Sequence, residues 1–504
     1  MRLRALALLL CASLSSCRPA QAEKSTLPRP LHPYESLGRP LAHDVQRLRR
    51  LLGDGVTRVV ITGGAGYVGS HTTHALARTG EYDILVIDNL ESGHAEAVPH
   101  GVTLKVLHLD DVDQVKATFN TFRPHAVIDF AAYLDVGHSQ EHPEEYVRNN
   151  VQNFKHVVSS PSLPTPDAGP ARNPQPGQGR LCAPRPSPSL MRHPTSCGPA
   201  QLDAMVESGC HLIIKSSTQA TYGDAPQSAM PLREAYNAEG AEGTAHFVSS
   251  NLADGSWNGT ALTGQQLFDR FVGAYESYTP RAPWLALTPS ERVMLHTPRS
   301  VYGLSKLLDE VMMRKYAKRH HNLRWVSLRY GNVCGAAPSG HVGEAKRRPH
   351  TLMTLAIYSL TGRRKPVLNL YGSDYETPDG TTVRDYVHPS DLATAHAEAL
   401  KYLLAGNASD VFNLGTGHGS SVLQVLHAIE AASGRKVQTD FKPRRTGDCA
   451  FSVLDISKAR AALGYKPIFD LDDMARSAWR WHVVHQEAFN ARPDPGPQVE
   501  SSRR

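Results

Sequence analysis

Thr62-Gly63-Gly64-Ala65-Gly66-Tyr67-Val68-Gly69 follows the apolar run Val59-Val60-Ile61 and opens onto a helix-like segment, Ser70 to Thr79. That setting, a strand feeding a glycine turn that starts a helix, turns a glycine pattern into a dinucleotide-site hypothesis. Gly63 permits a tight turn, Gly66 lets backbone approach a pyrophosphate, and Gly69 allows close strand-helix packing. The phosphates then sit at the positive end of the helix. A second apolar run, Ile84-Leu85-Val86-Ile87, ends in Asp88, nineteen residues past Gly69. A carboxylate there accepts hydrogen bonds from an adenosine ribose and repels a 2′-phosphate, so the pattern favours NAD over NADP.

A second constellation indicates what the dinucleotide is for. In Ser300-Val301-Tyr302-Gly303-Leu304-Ser305-Lys306, Tyr302 and Lys306 stand at i and i+4 and share one face of a helix. A tyrosine serves as a base near neutral pH only where cations stabilise its phenolate, which a neighbouring ammonium and an oxidised nicotinamide would do. Leu212-Ile213-Ile214-Lys215-Ser216-Ser217-Thr218 reads as a buried strand ending in hydroxyls able to hydrogen-bond a substrate oxygen. A tyrosine and lysine at this spacing are common on solvated helices. The glycine loop and the hydroxyl-ended strand are what favour the functional reading.

These features resemble the extended short-chain dehydrogenase/reductase family, and within it the UDP-sugar 4-epimerases of the UDP-glucose and UDP-arabinose types. The resemblance rests on Thr62 to His71, Asp88-Asn89-Leu90, Phe130-Ala131-Ala132, Asn149-Asn150-Val151, Ser216-Ser217-Thr218 with Ala220-Thr221-Tyr222-Gly223, and Tyr302 to Lys306. It continues through Leu328-Arg329-Tyr330 with Asn332, Tyr371 to Tyr375, Val383 to His388, and Arg444-Arg445-Thr446-Gly447-Asp448. The motifs run in family order from about residue 56 to 485.

The resemblance implies an α/β protein: a Rossmann-type doubly wound parallel sheet with a smaller C-terminal α/β substrate-binding domain. The expected boundaries are a leader over 1–22, a linker over 23–55, an NAD-binding domain over 56–331 with inserts at 161–200 and 235–296, a UDP-sugar-binding domain over 332–488 and a tail over 489–504. Thr218, Tyr302 and Lys306 would be catalytic. Gly63, Gly66, Tyr67, Val68, Gly69, Asp88, Asn89, Asp111, Val112, Phe130, Ala131, Ala132 and Asn149 would bind NAD beside Tyr302 and Lys306. Asn332, Arg384, Arg445 and Asp448 would grip the UDP, with Thr218 and Tyr302 on the sugar. The implied activity is inversion at C4 through a transient 4-keto sugar. The alternatives are a pentose substrate, UDP-xylose/UDP-arabinose, or a nucleotide-sugar-binding protein with impaired turnover. Dehydratases place an acid pair directly after the serine or threonine, whereas Gln219 and Ala220 follow Thr218 here. A homodimer through a bundle containing the Tyr302 helix would use Val311, Met312 and Met313, and a core helix explains those residues equally well.

Of the net charge of +6, the whole excess lies in the first fifty residues, with nine Lys/Arg against three Asp/Glu. The balanced body argues against a nucleic-acid surface. Seven cysteines show no metal or disulfide spacing. Met1-Arg2-Leu3-Arg4, the apolar Ala5 to Ser13 and Ala20-Gln21-Ala22 fit a secretory signal too short to span a bilayer comfortably, so a secretory-pathway address is expected and no stable membrane span. A transit peptide competes, because the segment is acid-poor, and a cytoplasmic protein follows if the leader is an artefact of the gene model.

Strands are expected near 58–62, 83–88, 103–107 and 126–130. Pro161 to Ala200 breaks the pattern with a Pro/Gly/Ser/Arg-rich stretch, placed where the family has an uninterrupted helix. Two accounts fit it, a surface loop without structure of its own or translated non-coding sequence, and the loop-length argument favours the second. Three positions depart from the family pattern: Asp129 replaces a histidine, Gly331 an aromatic, and His350-Thr351 paired asparagines. Deleting Pro161 to Ala200 should leave the melting temperature equal or higher, because the stretch lacks the apolar content to offset its ordering entropy. A markedly lower melting temperature for the deletion would show the segment to be structural.

Overall fold

The computed structural model describes residues 56–154, 201–223, 225, 227–235, 268–269, 272–273, 286–295, 298, 300–346, 349–445 and 448–485. The leader, the linker, the insert at 161–200, most of the insert at 235–296 and the tail lie outside the described residues.

Short, near-continuous apolar runs form a seven-stranded parallel sheet. Its strands are β1 (Thr57–Thr62), β2 (Tyr82–Asp88), β3 (Thr103–Val106), β4 (Ala126–Asp129), β5 (Leu212–Thr218), β6 (Arg324–Tyr330) and β7 (Asp410–Leu414), in the order β7-β6-β5-β4-β1-β2-β3. The four strands expected near the N-terminal half fall within one residue of their observed bounds. Alternate side chains feed two cores. Val60, Leu85, Val127 and Ile213 pack with α2 (Val112–Phe122), α3 (Gln201–Glu207) and α4 (Val301–Arg319). Val59, Ile61, Ile84, Ile128 and Ile214 pack with α1 (Tyr67–Thr79) and α5 (Pro389–Leu404) on the opposite face. Burial on both faces is what the near-continuous apolar strands require.

The caps follow local chemistry. Ser300 starts α4 by accepting from Gly303 N at 3.0 Å, and Asp111 starts α2 by accepting from Gln114 N at 3.2 Å. Residues of the sequence-expected second domain divide between two bodies. β7 and α5 join the large sheet, while Val383–Val387 pairs with Gly419–Ser421, Phe451–Ser452 and Asn332–Val333 in a smaller one. Val367–Tyr371 pairs in parallel with Gln438–Lys442, and helices Leu352–Thr361, Val422–Ser433 and Leu471–Val484 close a third core around Ile357, Leu370, Leu426 and Met474. No described helix is long and apolar enough to cross a membrane.

α4 is buried from Val301 to Met313. Val311, Met312 and Met313 are buried within the chain's own core, together with Leu287 and Leu295. Residues 286–295, from the second insert, are tied to it by Lys315, whose Nζ meets Glu291 Oε2 and Ala286 O, each at 2.7 Å. Beside this contact, Arg329 grips Glu310 with two donors, Nε to Oε1 at 2.9 Å and Nη2 to Oε2 at 2.7 Å, and its guanidinium lies over the Tyr222 ring. Burial alone would raise the Glu310 pKa, but Arg329 outweighs it and holds the group below the usual carboxylate range. Arg329→Met strands a buried carboxylate and should cost about 3–5 kcal/mol, read from the urea midpoint. A loss below about 1 kcal/mol would show the pair to be dispensable.

Candidate active site

A cavity of about 870 Å³ opens at the carboxyl ends of the parallel strands. The sheet order runs outward in both directions from β1, which is where an open α/β fold leaves a crevice. One wall is the glycine loop. Gly63 adopts φ 68°, and a Cβ there would lie 2.8 Å from Ala131 N. A Cβ at Gly69 would lie 2.1 Å from Gly63 O, so only glycine lets α1 start this close to β1. Gly66 is the N-cap of α1 and caps it with no side chain. Ser70 N makes the first helical bond, to Gly66 O at 2.8 Å, leaving the N–H groups of Tyr67, Val68 and Gly69 without an i−4 acceptor at the cavity edge. Asp88 closes β2 with its carboxylate accepting from Ala65 N at 3.0 Å and Leu90 N at 2.9 Å, and it faces the cavity beside Asn89. A bare helix N-terminus next to a buried acid suits a pyrophosphate and a ribose diol.

Phe130, Ala131, Ala132 and Asn149 line the cavity as well. Asp111 and Val112 do not. The Asp111 carboxylate is spent on capping α2, accepting from Gln114 N and Nε2, which leaves this part of the expected cofactor set away from the cavity.

The floor is made by β5 and α4. Thr218 and Tyr302 both face the cavity, and the Thr218 hydroxyl favours the ionised form of the Tyr302 phenol. Lys306 lies beneath it, 1% exposed, with Nζ donating to the Ser216 carbonyl at 3.1 Å. Burial raises the Tyr302 phenol to about 12, against the Thr218 hydroxyl that pulls it down, and Asp309 adds a further upward push. Burial, and after it the Lys215 ammonium, lower Lys306 to about 7. A protonated tyrosine is therefore the resting form, and positive charge brought to the site is needed to make it a base.

The opposite wall belongs to the smaller body. Asn332, Arg384, Arg445 and Asp448 all line the cavity. Arg384 Nη2 is 3.8 Å from Asp448 Oδ1, and the Arg445 guanidinium stacks 3.8 Å from the Tyr371 ring centre. Asn332 Oδ1 accepts from Gln219 Nε2 at 3.0 Å. At Gly331 the wall is backbone, because a Cβ there would lie 2.3 Å from Asp385 O. Thr351 is turned to Glu344 Oε2 at 2.7 Å, and His350 Nδ1 is 3.8 Å from Asp135 Oδ2.

Sequence reasoning missed Lys215, Asp309 and Asn150. Lys215 Nζ lies 2.5 Å from Asp129 Oδ2 and 3.2 Å from Asp309 Oδ2, all three buried. Asn150 donates to Ser305 Oγ at 3.1 Å and accepts from Tyr133 N at 2.8 Å, joining α4 to the cavity rim. A lysine directly after the apolar run Leu212-Ile213-Ile214 of a buried strand was the available signal for the first, since such a charge is buried only when paired.

Known proteins converge on this geometry. Residues 59–161 match the model of the NAD dependent epimerase/dehydratase family, and residues 287–478 match the model of GDP-mannose 4,6 dehydratase. The UDP-glucose 4-epimerase of Lacticaseibacillus casei is 31% identical over 435 residues, covering 86% of this chain and 99% of that protein. That of Azospirillum brasilense is 32% identical over 446 residues, covering 88% and 97%. Among solved structures, the UDP-glucose 4-epimerase of Brucella ovis in complex with NAD has a TM-score of 0.60 at 30% identity, covering 84% of this chain and 98% of its own. The Stenotrophomonas maltophila UDP-glucose-4-epimerase, solved with bound NAD and formylated UDP-arabinopyranose, has a TM-score of 0.61 at 27% identity, covering 86% and 99%. Taken with the glycine cradle, the Thr218–Tyr302 floor and the arginine wall, these likenesses place the chain in the NAD-dependent epimerase/dehydratase family, among the isomerases of the UDP-glucose 4-epimerase type with NAD as cofactor.

Proposed function

We propose that this chain inverts C4 of UDP-sugars by oxidation and reduction at that carbon, with no net change in redox state. The observation that carries the reading is that Thr218 and Tyr302 share the floor of one cavity, with the glycine loop on one side and Arg384 and Arg445 on the other. The loop and Asp88 would hold NAD, which supplies a hydride acceptor and donor. The chain's own residues handle protons and position. Tyr302, as phenolate, takes the proton of the sugar 4-hydroxyl and later returns it. Thr218 hydrogen-bonds the same oxygen. Lys306, one helical turn along, contributes the cation that a buried phenolate needs. Arg384 and Arg445 present forked donors to the diphosphate, and Asn332 and Asp448 hold the nucleotide end. The 4-keto sugar turns over about its link to the diphosphate, which stays gripped, and is reduced on the opposite face.

Support for the hexose pair comes from the curated relatives, which are UDP-glucose 4-epimerases. A pentose is supported by one observation: the Stenotrophomonas enzyme was solved with a UDP-arabinopyranose derivative. A missing hydroxymethyl costs only modest contact energy, so one pocket serves both rings.

Tyr302→Phe should lower turnover by about 100-fold or more while leaving NAD bound, because it removes the base and spares the nucleotide contacts. Wild-type turnover in that variant would overturn the mechanism. A wild-type protein that retains NAD and UDP-sugar yet converts neither pair would point to a binding protein instead. Chromatographic assays of one preparation should find interconversion of UDP-glucose with UDP-galactose and of UDP-xylose with UDP-arabinose. Inactivity on either pair would refute dual use and identify the substrate.

A further inference from the structure

Lys215 occupies the centre of β5 and is wholly buried, clamped between Asp129 at the end of β4 and Asp309 on α4. Phe154 lies 3.9 Å beneath its ammonium. Asp309 is three residues beyond Lys306, on the helix that carries Tyr302, and Lys306 reaches the carbonyl of Ser216, the residue next to Lys215. Two ammonium groups and two carboxylates thus alternate under the cavity floor, with formal charges that cancel. We propose that Lys215, held by Asp129 and Asp309, is a positioning residue that sets the electrostatic potential at the Tyr302–Lys306 pair, and with it the pH range over which that pair exchanges a proton with substrate. The proposal rests on the reading of Tyr302 and Lys306 given above and names the device that tunes them.

Stability does not account for the cluster. Buried ion groups of this kind are often replaced by apolar residues at no cost, since desolvation consumes the Coulombic gain. Its placement is what distinguishes it. Asp309 pushes the Tyr302 phenol up and the Lys306 ammonium up, whereas Lys215 pushes Lys306 down. Asp129, whose other oxygen accepts from Thr62 Oγ1 at 2.6 Å and Ala131 N at 2.9 Å, fixes the cluster to the glycine loop and the Phe130–Ala132 turn. Among the described residues, three further ionisable groups near the pair are neutral or matched. Tyr146 and Tyr330 are phenols held far above their ordinary range by burial, and Glu310 is closed by Arg329. The local potential is therefore set chiefly by Lys215, Asp129 and Asp309.

The signs follow directly. Removing the Asp309 charge removes negative potential from both members of the pair, so both apparent ionisations of the profile move down. Removing the Lys215 charge moves them up. Because the two sites titrate together, the shift belongs to the pair and not to one residue.

The test is the pH dependence of kcat, with KM measured alongside, for wild type, Asp309→Asn and Lys215→Met in NAD-loaded protein. Asp309→Asn should displace the profile downward by roughly one pH unit, and Lys215→Met should displace it upward, with KM little changed. Asp309→Asn leaves the Asp129–Lys215 pair balanced, so it decides the matter alone if Lys215→Met does not fold. A second readout is the ultraviolet absorbance of tyrosinate, taken as the difference between each protein and its Tyr302→Phe counterpart. The Tyr302 ionisation should fall in Asp309→Asn. Unmoved profiles, or shifts of the same sign in both variants, would overturn the proposal. An inactive Tyr302→Phe beside an unmoved Asp309→Asn profile defeats this inference alone, whereas an active Tyr302→Phe defeats the underlying reading and this inference with it.

Discussion

The carboxylate of Asp129 is the point on which the site's architecture turns. One oxygen ties the first residue of the glycine loop to the Phe130–Ala132 turn through Thr62 and Ala131, and the other reaches Lys215 on the neighbouring strand. Lys215 in turn faces Asp309 on the helix that bears Tyr302. Four chain segments that are far apart in sequence meet in one ionic cluster at the level where the cavity begins. In a dry interior a charge tolerates little displacement from its partners, so the cluster fixes the relative heights of the loop, the turn, the strand and the helix.

A second layer of buried polarity lies along the same helix face. Ser217, two residues past Lys215, donates to Glu310, and Ser327 and Arg329 on β6 meet the same carboxylate. Consecutive acids of α4 thus address alternate residues of β5, which keeps strand and helix in a single register. Hydrophobic contacts around Leu307, Leu308 and Val311 supply the burial, but apolar packing alone tolerates a shift along the axis more easily than these charges do.

Much of the fold was legible because its signals are local. The glycine loop sits between an apolar strand and a helix, and the carboxylate of Asp88 closes the next strand, so chain neighbours alone declare the cofactor side. Thr218, Tyr302, Arg384 and Arg445 are read from short motifs, and the structure gathers them around one cavity. What escaped was long-range pairing. Asp129 and Lys215 are 86 residues apart, and nothing in either neighbourhood announces the other. At Asp111 the structure adds a short-range role, capping α2, to the carboxylate that a motif reading assigns to the cofactor. The exchange of β7 and α5 into the large sheet was also hidden, because a strand in isolation does not reveal which edge it will join.

The enclosure of α4 by residues 286–295 bears on how this gene product can vary. That segment covers its helix with Leu287 and Leu295 and anchors through Glu291. A splice form or a proteolytic product that lost it would uncover apolar residues of α4, the helix that carries Tyr302. Such a face seeks cover, either in a second molecule or in an aggregate. Within the chain, the segment therefore does for α4 what a neighbouring molecule would otherwise have to do.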